Sequence, residues 1–146
     1  MIKLTKAGLK DLVGNNDEII IPVAVQKEVV EAGKLKGCHD AFIVENNIGS
    51  KVIKLAESTL NYNNGDDALI QLFQKEQYDA VATDDTKLVR QLKSRGISFI
   101  LPALIIYQLF RDGLLEQEVA LGALTKLSEF ISEDEYSTVK LIMEKE

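Results

Sequence analysis

The 146-residue chain contains one cysteine, one histidine, two prolines and no tryptophan. Each scarcity excludes something. A lone Cys38 cannot close an internal disulfide, which fits a reducing cytoplasm. His39 stands beside it, but two adjacent ligands do not make a tetrahedral zinc site. No apolar run approaches the roughly 20 residues that span a bilayer. The longest, ALIIYQLF at 103–110, reads as a core helix, so no membrane partner is expected. The N-terminus, MIKLTKAGLKDL, lacks the layout of a secretory signal. No glycine-rich phosphate loop of either common kind occurs, which sets aside a generic nucleotide-binding module. Basic charge is also short: 17 Lys and Arg against 23 Asp and Glu leave a net charge of −6. Lys and Arg contacts to phosphate usually dominate nucleic-acid affinity, so a tight, nonspecific nucleic-acid binder is not expected unless divalent cations offset the acids.

The composition is otherwise that of an ordinary globular protein, 46% hydrophobic and 27% charged. The length suggests one domain over 1–146. Residues 4–13 read as a short helix, with a turn at Gly14, Asn15 and Asn16. EIIIP (18–22) is an unbroken apolar strand of the kind buried on both faces. Pro22 suits the first turn of the helix PVAVQKEVVEAG, which Gly33 is expected to end. Residues 40–48 read as a helix and KVIKLA (51–56) as a strand near a sheet edge. LNYNNGDD (60–67) reads as a loop, leading into a helix at 66–76. A strand at 79–83, a helix at 85–95 closed by Gly96, and the strand ISFILP (97–102) come next. Three helices complete the chain, at 103–112, 114–128 and 133–145. Alternating strands and helices imply a mainly parallel central sheet in a three-layer α/β/α arrangement, with a helical C-terminal part.

In such sheets the ligand crevice lies beyond the carboxyl ends of the strands. Asp84 and Asp85 stand at one such end, Asp66 and Asp67 at the start of another helix, and Glu28 beside the face of Val25 and Val29, on the row of Ala24 and Ala32. Each has a plain alternative. Asp is a favoured helix N-cap and complements the helix dipole, and Glu28 alone could be a solvated helix edge. Asp40 is expected to cap the helix at 40–48. One cap needs one side chain, however, and the doubling occurs twice. Clustered carboxylates without a counter-ion protonate or destabilise a fold, and all-oxygen sites suit Mg²⁺ or Mn²⁺.

The runs P-V-A-V-Q-K-E-V-V, G-D-D-A-L-I and V-A-T-D-D-T-K-L, in this order and over almost the whole chain, resemble the PIN-domain family, the fold of VapC-like toxin ribonucleases. The resemblance is strongest to its small stand-alone members from archaea and bacteria. It implies a Mg²⁺- or Mn²⁺-dependent endoribonuclease acting on single-stranded RNA. Glu28, Asp67, Asp84 and Asp85 match the family's acids, with Glu28, Asp67 and Asp85 as metal ligands and Asp66 and Thr83 in support. A small antitoxin partner is implied, and a homodimer is expected. One departure stands out. The family opens with a strand ending in Asp, in a D-x-S-x-L-I-x-L pattern, and MIKLTKAGLKDL matches the segment just after that Asp. An incomplete start, a true loss that leaves the chain inactive, and a partner chain filling the gap all account for it, and the first is favoured. The alternative function is a non-catalytic, degenerate PIN-like module for interaction or dimerisation.

Overall fold

The computed structural model describes residues 1–56 and 64–146. Two short helices, α1 (Ile2–Lys6) and α2 (Lys10–Asn16), open the chain. The break falls at Gly8, whose φ of 82° lies in the left-handed region that glycine enters at little cost. The expected turn at Gly14 is instead helix. A Cβ on Gly14 would meet Val52 Cγ1 at 2.9 Å, so this glycine admits a neighbour rather than a turn.

Strand β1 (Ile19–Pro22) comes next, and the buried Pro22 both ends it and stands as N-cap of the next helix, one residue before its first turn. That helix has three parts: α3 (Val23–Gln26), a π-turn (Lys27–Glu31) and α4 (Ala32–Leu35). Gly33 does not end it. A Cβ there would meet the Ala41 Cβ at 2.9 Å, so Gly33 is a contact point for α5 (His39–Gly49). The chain leaves the helix at Gly37 (φ 68°), where Gly37 N–H donates to Lys34 O and Cys38 N–H to Gly33 O. Helix α5 starts one residue earlier than expected. Its N-cap is Cys38, without a side-chain cap bond, and Asp40 stands in its first turn.

Strand β2 (Ile53–Ala56) pairs parallel with β1, in the register Ile19 to Ile53 through Pro22 to Ala56. Residues 60–63 of the expected 60–67 loop lie outside the described residues, and 65–67 are helix rather than loop. Helix α6 (Gly65–Lys75) packs on β1 and α3. The elements from α2 to α6, with Val13, Val30, Ala41, Val44, Ile53, Ala68 and Ile70 buried, belong to one compact unit, Met1–Ile2 with Lys10–Asp79.

The second unit is Lys3–Leu9 with Ala80–Glu146. Its strands β3 (Val81–Ala82) and β4 (Phe99–Ile100) pair parallel and are shorter than the apolar runs suggest. β3 gives way to the Asp84–Asp85 turn, and β4 runs into Pro102, which is pre-set for a helix start. Helix α7 (Thr86–Ser94) lies between them in sequence and buries Leu88 and Leu92. Helices α8 (Pro102–Arg111), α9 (Gln117–Leu127) and α10 (Glu133–Lys145) pack on one another. Ala103, Ile106 and Leu109 on α8 meet a core that includes Leu124, Leu127 and Met143, all at most 1% exposed. The run 103–110 is therefore a core helix, as its composition suggests, and each large side chain contributes about 1.5–3 kcal/mol by leaving water. The class is mixed α/β with parallel strands and a helical C-terminal part, as expected. Among the described residues the parallel strands form two two-stranded pieces, and the first element is a helix.

Candidate functional site

In the first unit the acids gather at the N-terminus of α6. The cap there is Asn64, whose Oδ1 accepts the Asp67 N–H at 2.9 Å. Asp66 and Asp67 are thus not the caps that their position suggests. Their carboxylates stand half-buried in the first turn, where the helix dipole favours negative charge. Glu28 Oε1 accepts the Gly65 N–H at 2.7 Å. A Cβ on Gly65 would lie 2.6 Å from Glu28 Oε2, so the glycine of GDD makes room for this carboxylate. Glu28 reaches it from the π-turn, where the i→i+5 pattern replaces the 3.6-residue repeat. The row with Ala24 and Ala32, drawn for a regular helix, therefore does not hold locally. Glu28 is exposed as a residue, yet its carboxylate is not left to solvent alone, because it satisfies one of the open donors of α6.

In the second unit Asp84 and Asp85 divide their roles. Asp85 is the N-cap of α7, with Oδ1 accepting the Leu88 N–H at 2.8 Å. Thr83 Oγ1 accepts the Asp85 N–H at 3.2 Å and fixes the turn that presents both acids. Asp84 does not cap. It pairs with Lys3 of α1, and its side chain is 26% exposed, so water screens the pair only in part. Asp84 also faces Glu135, whose carboxyl is raised above its ordinary value. Burial is the main cause. The Ala103 N–H that it accepts lowers it, the Asp84 charge raises it, and Lys3 lowers it.

Glu135 is a member of this site that the sequence reading missed. Ser132 caps α10 and accepts the Glu135 N–H at 3.2 Å, half of an S-x-x-E capping box. The Glu135 carboxylate completes no box of its own. It accepts the Ala103 N–H at 2.9 Å and so caps α8, whose own N-cap residue, Leu101, has no side chain able to do so. The S-x-x-E spacing was the available signal, but it pointed to a cap on the wrong helix. Lys3 had no local signal.

Asp84 and Glu135 both line a cleft of about 440 Å³ within the second unit. Asp84 holds the Lys3 ammonium directly, and Glu135 lies near enough to sense both charges, so two carboxylates share one neighbourhood. Among the described residues no group of three or more His, Cys, Asp or Glu side chains is placed to hold a metal ion. The two-carboxylate set still fits Mg²⁺ or Mn²⁺, because Mg²⁺ is commonly bound through one or two carboxylates, with water and substrate phosphate completing its shell. No helix among the described residues is long and apolar enough to cross a membrane.

No curated protein and no solved structure matches the chain. A family model described as a PIN domain matches residues 1–145, and the chain belongs to that family.

Proposed function

We propose that this PIN-domain protein is a divalent-metal-dependent endoribonuclease that hydrolyses phosphodiesters of single-stranded RNA. The observation that carries this reading is that Asp84, paired with Lys3, and Glu135, near enough to sense both charges, line one cleft. Each unit carries acids for this chemistry: Glu28 and Asp67 at the first turn of α6, and Asp84, Asp85 and Glu135 in the second unit. Asp84 and Glu135 would hold Mg²⁺ or Mn²⁺ in the second unit, and Glu28, Asp67 and Asp85 are the further metal-ligand assignments. The ion's chemistry is to generate a nucleophile from water and to offset charge developing on the phosphodiester.

The chain's own residues prepare for this. Asp85, held by its cap bond, and Thr83, holding the turn, keep Asp84 pointed at the cleft. Glu135, anchored on Ala103 N–H, keeps one oxygen committed to the fold. Asp66 supports Asp67 by adding negative charge to the same turn. A cytoplasmic location, a homodimer and a small antitoxin partner belong to the same reading, which makes the protein a toxin of a two-component pair.

The test is cleavage of several single-stranded RNAs with Mn²⁺. It is run on the 146-residue chain and on a chain extended at its N-terminus by a strand ending in Asp-x-Ser. Asp84→Asn and Asp85→Asn should each lower the rate on the order of a hundredfold. Asn caps a helix as well as Asp, so Asp85→Asn should leave the fold intact. No cleavage by either chain on any RNA overturns the reading.

One observation favours the second reading, a non-catalytic interaction module: an ammonium already sits on Asp84. Calorimetric titration with Mn²⁺ separates the two. Submicromolar binding that vanishes in Asp67→Asn speaks against the module.

A further inference from the structure

The cleft lined by Asp84 and Glu135 is also lined by residues of α7, among them side chains of the opposite charge. Helix α7, TKLVRQLKS, carries Lys87, Arg90 and Lys93 and no acid, in a chain whose net charge is −6. Arg90 and Lys93 are three residues apart, so they share one helix face, and both line the cleft. Opposite them β4 contributes Phe99, with Leu101 just beyond it. The Lys93 Nζ lies 5.8 Å from the centre of the Phe99 ring, which brings a cation and an aromatic face together.

An occupant held by these residues must therefore be anionic along one wall and carry flat or apolar groups for the other. The repeating phosphate and base of a single nucleic-acid strand match that alternation, and cations beside an aromatic ring are the usual means of holding one. An acidic peptide matches only the cations and has nothing to stack.

We propose that Arg90, Lys93 and Phe99 form a subsite for a nucleotide flanking the scissile bond, with its phosphate on Arg90 and Lys93 and its base against Phe99. This rests on the ribonuclease reading for the identity of the strand. Along the helix, Arg90 lies four residues beyond Thr86, the first residue after the acidic turn, about 6 Å at 1.5 Å per residue. That places the held phosphate beyond the one that would sit at the acids. The subsite also offers a way for an acidic protein to engage RNA: attraction is concentrated on one helix and repulsion is confined to the carboxylates.

The test is binding of a fluorescent 12-nucleotide oligouridylate to the full chain in EDTA, where no cleavage occurs, over a series of salt concentrations. The double variant Arg90→Gln/Lys93→Gln changes two exposed side chains and should keep the melting temperature. It should weaken binding on the order of tenfold and lower the salt slope by about 1.4, two phosphate contacts at roughly 0.7 each. Phe99→Leu keeps an apolar residue on β4 and should weaken binding without changing the salt slope. Unchanged affinity and slope in the double variant overturns the subsite, even if the parent cleaves RNA. So does equal competition by an oligoglutamate of the same length. Weakened binding with no cleavage under any condition upholds the subsite and overturns the ribonuclease reading alone.

Discussion

At the scale of single residues, the doubled aspartates are explained by division of labour. Asp85 is committed to the α7 cap, and Asp84 is left to meet Lys3 and Glu135. Sequence could pose that alternative but not resolve it, because cap and ligand need the same residue type at the same place. The GDD run resolved differently: Asn64 caps and Gly65 yields to Glu28. Gly65 therefore supports a prediction. Gly65→Ala would put a methyl group 2.6 Å from Glu28 Oε2, the tip of a side chain that can swing aside, so the cost should be that of the lost bond to the Gly65 N–H, about 0.5–1.5 kcal/mol. In a Glu28→Ala background the same change should cost much less, since the carboxylate is gone. Urea unfolding of the four proteins of this cycle measures the coupling. A coupling near zero would mean that Glu28 does not hold the Gly65 N–H in solution.

At the scale of elements, the strand and helix order was legible because the apolar runs EIIIP, ISFILP and ALIIYQLF are strong local signals. The errors cluster at glycines. Gly14 and Gly33 look like helix stops, yet both lie inside helices and serve as contact points for Val52 and Ala41. A glycine that ends a helix and one that admits a neighbour are indistinguishable until the neighbour is placed. Gly33→Ala tests this for α4 and α5. In a solvated helix the change stabilises by roughly 0.5–1 kcal/mol. Here the new methyl group would meet Ala41 Cβ at 2.9 Å, so the sign should reverse, with a loss of about 1–3 kcal/mol in urea unfolding. A gain in stability would show that α4 and α5 can part at no cost. The π-turn was equally hidden, since nothing in QKEVV announces an i→i+5 step, and it is this turn that carries Glu28 to Gly65.

At the scale of the whole molecule, an acidic chain with a sequence pI near 4.9 collects its carboxylates at helix starts and balances them locally. The Asp84–Lys3–Glu135 group predicts a pH dependence. The Glu135 carboxyl is raised above its ordinary 4.5 in the fold, mainly by burial, and by Asp84 after the opposing Ala103 bond. Between the unfolded and folded values the native state binds the extra proton. This contribution to stability is therefore fully present below the unfolded value and lost as pH rises through the folded one. Glu135→Gln, uncharged throughout and able to keep the Ala103 bond, should raise the melting temperature relative to the parent more at pH 7 than at pH 4. Equal differences at both pH values would remove Glu135 as the cause. Sequence by itself determined the α/β class, the core helix at 103–110, the acidic positions Glu28, Asp67, Asp84 and Asp85, and the family likeness, because these rest on periodicity and on residue type in order. Only the tertiary structure decided which acid caps and which meets a cation. It alone brought in Lys3 and Glu135, from residues 81 and 51 positions away from Asp84. Partners that distant leave no trace in local pattern, and the charge on a carboxylate is set by what the fold puts beside it.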